Sequence, residues 1–237
     1  MKNSTKEIIN EINTYRDESK AAFLPRFFKT GKGEYGEGDQ FIGVVVPNLR
    51  IVAKKHFDAD FDTLRELLAS PYHEYRLTAL LALTYRYAKL KDHASRETCV
   101  NFYVSQVDAI NNWDLVDLSC YKILGHWLFD KDKQLLYDWA KENHLWKQRI
   151  AMISCMHFVK QGEFKDALAI ADLLQHHPHD LIHKAVGWIL REIGKEDEQL
   201  LIDYLTPRYK EMPRTMLRYA IERFEEEPWQ RMRKVRP

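Results

Sequence analysis

From Pro47 onward the apolar residues of this chain recur at spacings of three and four, and the alternating stretches that suit a half-buried strand are nearly absent. Gly and Pro fall at intervals suited to helix ends. An all-α fold follows. The spacing predicts helices over 4–22, 47–57, 61–69, 71–90, 93–110, 113–129, 133–143, 146–161, 163–176, 180–193, 197–212 and 214–224. The connections are short, so successive helices are expected to be antiparallel neighbours.

A faint internal repeat marks these helices. A polar residue followed by an apolar run recurs at Arg76, Asp117, Arg149, Lys184 and Arg218, about 32 to 41 residues apart, close to the period of helix-pair solenoids. Stacked pairs bury a continuous core and leave one concave face, which the marker residues would line. The expected architecture is an α-solenoid forming a single domain over 1–237, with an N-terminal helix and a Gly-rich loop at 29–46 preceding the repeats.

That loop holds five of the nine glycines. Gly31, Gly33 and Gly36 match the dinucleotide fingerprint, but that mechanism needs a strand before the glycines and a helix immediately after them. Here a helix precedes and none follows directly. The segment therefore reads as a loop whose backbone can approach a partner closely, with Pro47 opening the next helix.

With 237 residues and 45% hydrophobic content, the chain is long enough to bury a sizeable core. Lys and Arg number 36 against 35 Asp and Glu, so an overall basic excess is excluded and any nucleic-acid affinity must come from local segregation of charge. The segment 205–237 supplies such a region, with nine Lys and Arg against five Asp and Glu. The start, Met1 to Asn13, mixes charges and has no unbroken apolar core, which predicts a cytoplasmic protein with no membrane association. Cys99, Cys120 and Cys155 lie far apart in helix-like apolar contexts and read as buried thiols. His176, His177, His179 and His183 cluster around Pro178, yet no carboxylate or thiolate stands at regular ligand spacing. A capped helix junction is expected there rather than a metal site.

The stretch 111–118 carries the most chemistry. Asn112 suits a helix N-cap, and Asp114 suits the positive end of the helix dipole. Asp117 lies four residues after Trp113, so an aromatic ring and a carboxylate share one helix face, a pairing that fits a cationic ligand. If the solenoid holds, Arg149 and Trp188 lie on the corresponding helices of the next two pairs and all four side chains converge. On spacing alone, core tryptophans and a helix-surface ion pair explain the same residues.

Longer strings add to this reading. The segments 112–117 (NWDLVD), 146–151 (WKQRIA), 183–195 (HKAVGWILREIGK) and 212–220 (MPRTMLRYA), together with the glycine loop and 43–47 (GVVVP), resemble the signatures of the AlkD family of DNA alkylation-repair glycosylases. The resemblance runs in order over most of the chain. It implies a HEAT-like helical-repeat fold and hydrolysis of the N-glycosidic bond of cationic purines such as 3-methyladenine and 7-methylguanine in duplex DNA, as in base excision repair, without metal or cofactor. It also implies that Asp117 is the catalytic carboxylate, that Trp113 and Trp188 face the lesion, and that Arg149 lies in the cleft. Candidates for phosphate contact are Lys147, Arg149, Lys184, Arg191, Arg214 and Arg218, although ion pairs on solvated helix faces account for such residues equally well. A monomer acting on double-stranded DNA is expected. The competing reading is a noncatalytic helical-repeat scaffold that binds DNA or protein through its concave face.

Overall fold

The computed structural model describes residues 4–224. Every regular element among them is helical, and the β-type pairing recorded is one isolated bridge between Gln40 and Tyr72. None of the described helices is long and apolar enough to cross a membrane. Contacts group the chain into two compact units, Met1–Ile123 and Leu124–Pro237.

The first unit contains α1 (Thr5–Asn13), α2 (Glu18–Phe27), α3 (Val46–Lys55), α4 (Phe61–Leu68), α5 (His73–Lys89), α6 (His93–Ser105) and a short α7 (Trp113–Asp117). Its hub is α5, against which α3, α4, α6 and α7 all pack. The sequence explains this position: 13 of the 17 residues of α5 are buried, and a helix apolar around most of its circumference belongs in a core. Three of the surrounding helices begin at side-chain caps, with Ser4 and Glu7 forming a capping box on α1 while Asp60 caps α4 and Asp92 caps α6; α3 instead carries Pro47 in its first turn.

The helix expected over 4–22 is instead two. Asp17 accepts the backbone N–H groups of Ser19 and Lys20, so its carboxylate starts a new helix and ends the continuity that periodicity suggests. The helix expected over 113–129 is also interrupted. After α7 the backbone passes through a π-type turn at Tyr121–Gly125 before a further short helix.

The second unit comprises α8 (His126–Leu128), α9 (Gln134–Lys141), α10 (Leu145–Val159), α11 (Lys165–Leu174), α12 (Asp180–Glu196), α13 (Glu198–Leu205) and α14 (Arg214–Ala220). Helix α10 packs on α8, α9, α11 and α12, and α12 packs in turn on α13 and α14. At Gly187 a Cβ would collide with the Met216 carbonyl and the Tyr219 Cβ, so the glycine permits α12 and α14 to meet closely. Helix α13 stops at Leu205, short of the expected 212, because Pro207 brings no N–H to continue the ladder, although Thr206 before it is still helical in backbone and donates to the Ile202 carbonyl. All three cysteines are buried free thiols, as expected.

Candidate functional site

Helix α7 begins where Asn112, wholly buried, accepts the Trp113 N–H on its Oδ1 at 2.8 Å. Its far end is held by Ser119, whose hydroxyl donates to the Leu115 carbonyl at 2.5 Å and lies 3.0 Å from the Tyr103 hydroxyl. That back-bonding competes with continuation of the helix and accounts for the break in the expected 113–129 element. Trp113 and Asp117 occupy the two ends of α7, and both are half-buried.

Trp113 rests on an aromatic shelf. Its ring stacks on Phe28 with centroids 5.4 Å apart and planes 10° apart, and meets Phe27 edge-on at 5.7 Å. Phe28 also stacks on Phe41 at 5.0 Å and lies 4.7 Å from His73. Offset and edge-on arrangements of this kind are the favoured ones, each contributing about 0.5–1.5 kcal/mol beyond area burial.

Beneath the shelf lies a buried polar cluster. His73, on α5, is only 2% exposed, and its ring bridges two carboxylates: Nδ1 lies 3.2 Å from Asp39 Oδ2 and Nε2 lies 2.9 Å from Asp114 Oδ2. Asp39 also pairs with Arg76 at 2.5 Å and accepts from Asn112 Nδ2 at 3.3 Å, while Arg76 donates to Asn111 Oδ1 at 2.5 Å. Burial alone would depress the His73 pKa, but the Asp114 charge and the hydrogen bonds to Asp114 and Asp39 outweigh it and push it up to about 9. Burial likewise works against the Asp39 carboxylate, but the hydrogen bond from His73 and the charge of Arg76 hold its carboxyl below the usual range.

The glycine loop is fastened to the same helix. The buried Glu74 carboxylate accepts the backbone N–H groups of Ile42, Gly43 and Val44, at 2.8 Å for Gly43. Gly43 has φ +83°, and a Cβ there would overlap the Asp17 carbonyl oxygen. The loop end is therefore a fixed part of the unit. Arg76, expected among the residues lining an open face, is instead buried and paired with Asp39; its position in the apolar run of α5 reflects this internal partner.

In the second unit, Trp188 on α12 is half-buried, and its indole N–H donates to Glu192 at 3.2 Å. Arg149 on α10 is buried and donates from Nη1 to the Leu181 carbonyl in the first turn of α12. Lys147 pairs with Glu142 at 2.6 Å and Lys184 with Asp180 at 2.6 Å. Arg191, Arg214 and Arg218 come together around an open cavity of about 760 Å³, where Arg191 is paired with Glu222 and the other two arginines are exposed. The histidine cluster forms a capped junction: His179 Nδ1 accepts the Leu181 N–H at the start of α12, and His177 bonds to Gln148 at 2.9 Å. Burial, with the neighbouring histidines, lowers the pKa of both His177 and His179.

Thus α7 presents Trp113 and Asp117 from the first unit, and the second unit carries Arg149, Trp188 and the basic candidates. Spacing did not reveal His73, Asp39, Phe28 or Phe41. A signal was nonetheless present, because charged residues at 73, 74 and 76 stand at the head of an otherwise apolar helix and must find partners if buried.

An all-helical molecule with this aromatic-carboxylate helix and an arginine-lined cavity falls within a known class. Residues 8–224 match the model of the DNA alkylation repair enzyme family, and the chain belongs to that family. Its role lies in DNA alkylation repair, with DNA as partner. Among solved structures, the fold is similar to that of a predicted DNA alkylation repair enzyme from Enterococcus faecalis, with a TM-score of 0.68 and 14% identity over 89% of this chain and 97% of that one. Comparison with the curated proteins finds no match.

Proposed function

We propose that the protein is a monofunctional DNA glycosylase that hydrolyses the N-glycosidic bond of cationic alkylated purines, of the 3-methyladenine and 7-methylguanine type, in duplex DNA. The observation that carries this reading is the pair Trp113 and Asp117, one helical turn apart on α7, with the indole braced on Phe27 and Phe28. Alkylation at a ring nitrogen makes the base a cation and a ready leaving group, so no strong general acid is needed. As the bond to the sugar breaks, positive charge grows on the sugar. Asp117 supplies a fixed negative charge beside it, or orients the attacking water.

The Trp113 face favours a cation by roughly 0.5–2 kcal/mol according to its exposure, which selects alkylated over neutral bases. In this reading the family resemblance gives Trp188 the role of a second lesion-facing tryptophan and Arg149 that of a DNA-binding arginine. Arg214 and Arg218, exposed beside Arg191, carry phosphate contact most directly. Lys147 and Lys184 exchange their local carboxylate partners for phosphate. The protein works as a cytoplasmic monomer without metal or cofactor.

The test is release of free 7-methylguanine and 3-methyladenine from methylated duplex DNA under single-turnover conditions, with wild type set against Asp117→Asn. The variant is expected to lose roughly 10²- to 10³-fold in rate with DNA affinity and Tm nearly unchanged. Equal rates would remove Asp117 from the chemistry. No release by either folded, DNA-bound protein would favour a noncatalytic scaffold.

A further inference from the structure

The buried cluster under the aromatic shelf has no part in the chemistry outlined above, yet it touches the first turn of α7 and the ring on which Trp113 stacks. A helix of five residues has little stability of its own, since forming the first turn is costly and few bonds reward it. The direction of α7 is therefore set by its anchors. Asn112 caps its start, and Asp114, three residues before Asp117, is held by His73. The same imidazole lies against Phe28, whose ring in turn stacks on Trp113.

We propose that His73 is a positioning residue for the excision chemistry: held as an imidazolium between Asp39 and Asp114, it fixes the orientation of α7 and, through Phe28, the plane of the Trp113 ring. The inference rests on the glycosylase reading. Both ring nitrogens face carboxylate oxygens, and only the doubly protonated ring can donate to both. A neutral ring would release one of the two. The charged groups facing it are Asp39 from the loop, Asp114 from α7 and Arg76 from its own helix, while Phe28 and Phe41 cover the ring with apolar surface. The four charges of His73, Arg76, Asp39 and Asp114 balance, which is what permits their burial.

Two readouts test this on the intact protein. In 15N-histidine-labelled wild type, the His73 ring, identified by its loss in His73→Gln, is expected to keep imidazolium shifts from pH 6.5 to 8. Titration near the ordinary value of about 6.5 would overturn the proposal. In single-turnover release of 7-methylguanine, His73→Gln is expected to slow the step about tenfold while half-saturation by DNA stays unchanged, because misplacement of reacting groups acts on rate rather than on phosphate contact. An active wild type matched by the variant sinks the inference and leaves the glycosylase standing; a wild type that releases no base sinks both. If His73→Gln does not fold, Asp114→Asn replaces it. That variant is expected to slow excision and to lower the His73 titration midpoint, and an unmoved midpoint counts against the proposal.

Discussion

Arg149 and Arg218 are both candidates for phosphate contact, but their surroundings separate what each substitution should do. Arg218 is exposed, with its guanidinium 6.0 Å from the Tyr219 ring, so Arg218→Ala is expected to flatten the salt dependence of duplex binding by about one contact while stability stays within about 0.5 kcal/mol. Arg149 is buried against the Leu181 carbonyl, so Arg149→Ala should lower the melting temperature as well as the salt slope. Salt-titrated binding together with thermal melts separates the two cases, and an unchanged slope in Arg149→Ala would make that residue purely structural. At this scale the local roles were legible. Asn112 as a cap, His179 at a capped junction, and Trp113 with Asp117 on one helix face all depend on neighbours within a few residues. The His73 partnership was not legible, because Asp39 lies 34 residues away in a loop with no period and Asp114 lies 41 residues away, so nothing in the spacing joins them.

Among elements, the loop between α2 and α3 is the one whose behaviour departs furthest from its composition. Five glycines suggest a slack tether, yet its last residues are gathered by Glu74 and pressed against Asp17. Gly43→Ala is expected to destabilise the protein by roughly 2–4 kcal/mol, since it adds a side chain at positive φ and drives it into backbone, whereas Gly33→Ala meets open space and should cost about 1 kcal/mol from backbone conformation alone. Urea denaturation of the pair checks this, and similar midpoints for the two variants would show that the close approach at Gly43 can relax. Helix interiors were well marked by the three-and-four spacing. Their ends were less so wherever a side chain competed with the helix for backbone groups, as Asp17 does before α2 and Ser119 does after α7, or where Pro207 stops α13.

For the molecule as a whole, the all-helical fold was readable because periodicity is a property of many residues at once. The grouping into two compact units leaves no mark of composition at Ile123 and Leu124. The His73 cluster belongs to the first unit and gives it a pH signature. Because the His73 pKa rises from about 6.5 in the unfolded chain to about 9 when folded, its stabilisation is complete below pH 6.5 and is lost as pH rises through about 9. Asp39 acts in the opposite direction: its stabilisation is present above pH 3.8, the ordinary value, and disappears as acid protonates it. Melting curves at pH 7 and 9.5 are expected to show a larger fall in Tm for wild type than for His73→Gln; equal falls would place the alkaline sensitivity in other groups.

The balance of charge beneath Trp113 also governs which substitutions this interior can accept. Two cations and two anions lie largely out of contact with water, with Asp39 the residue nearest the surface, so replacing any one alone leaves a poorly matched charge, a loss on the order of 3–5 kcal/mol where burial is complete. Replacing all four together with apolar side chains of similar volume removes the desolvation cost along with the attraction. The four positions are thus coupled in energy: any single replacement among His73, Arg76, Asp39 and Asp114 is expected to cost more than the fourfold apolar replacement, so the quartet behaves as one unit of substitution.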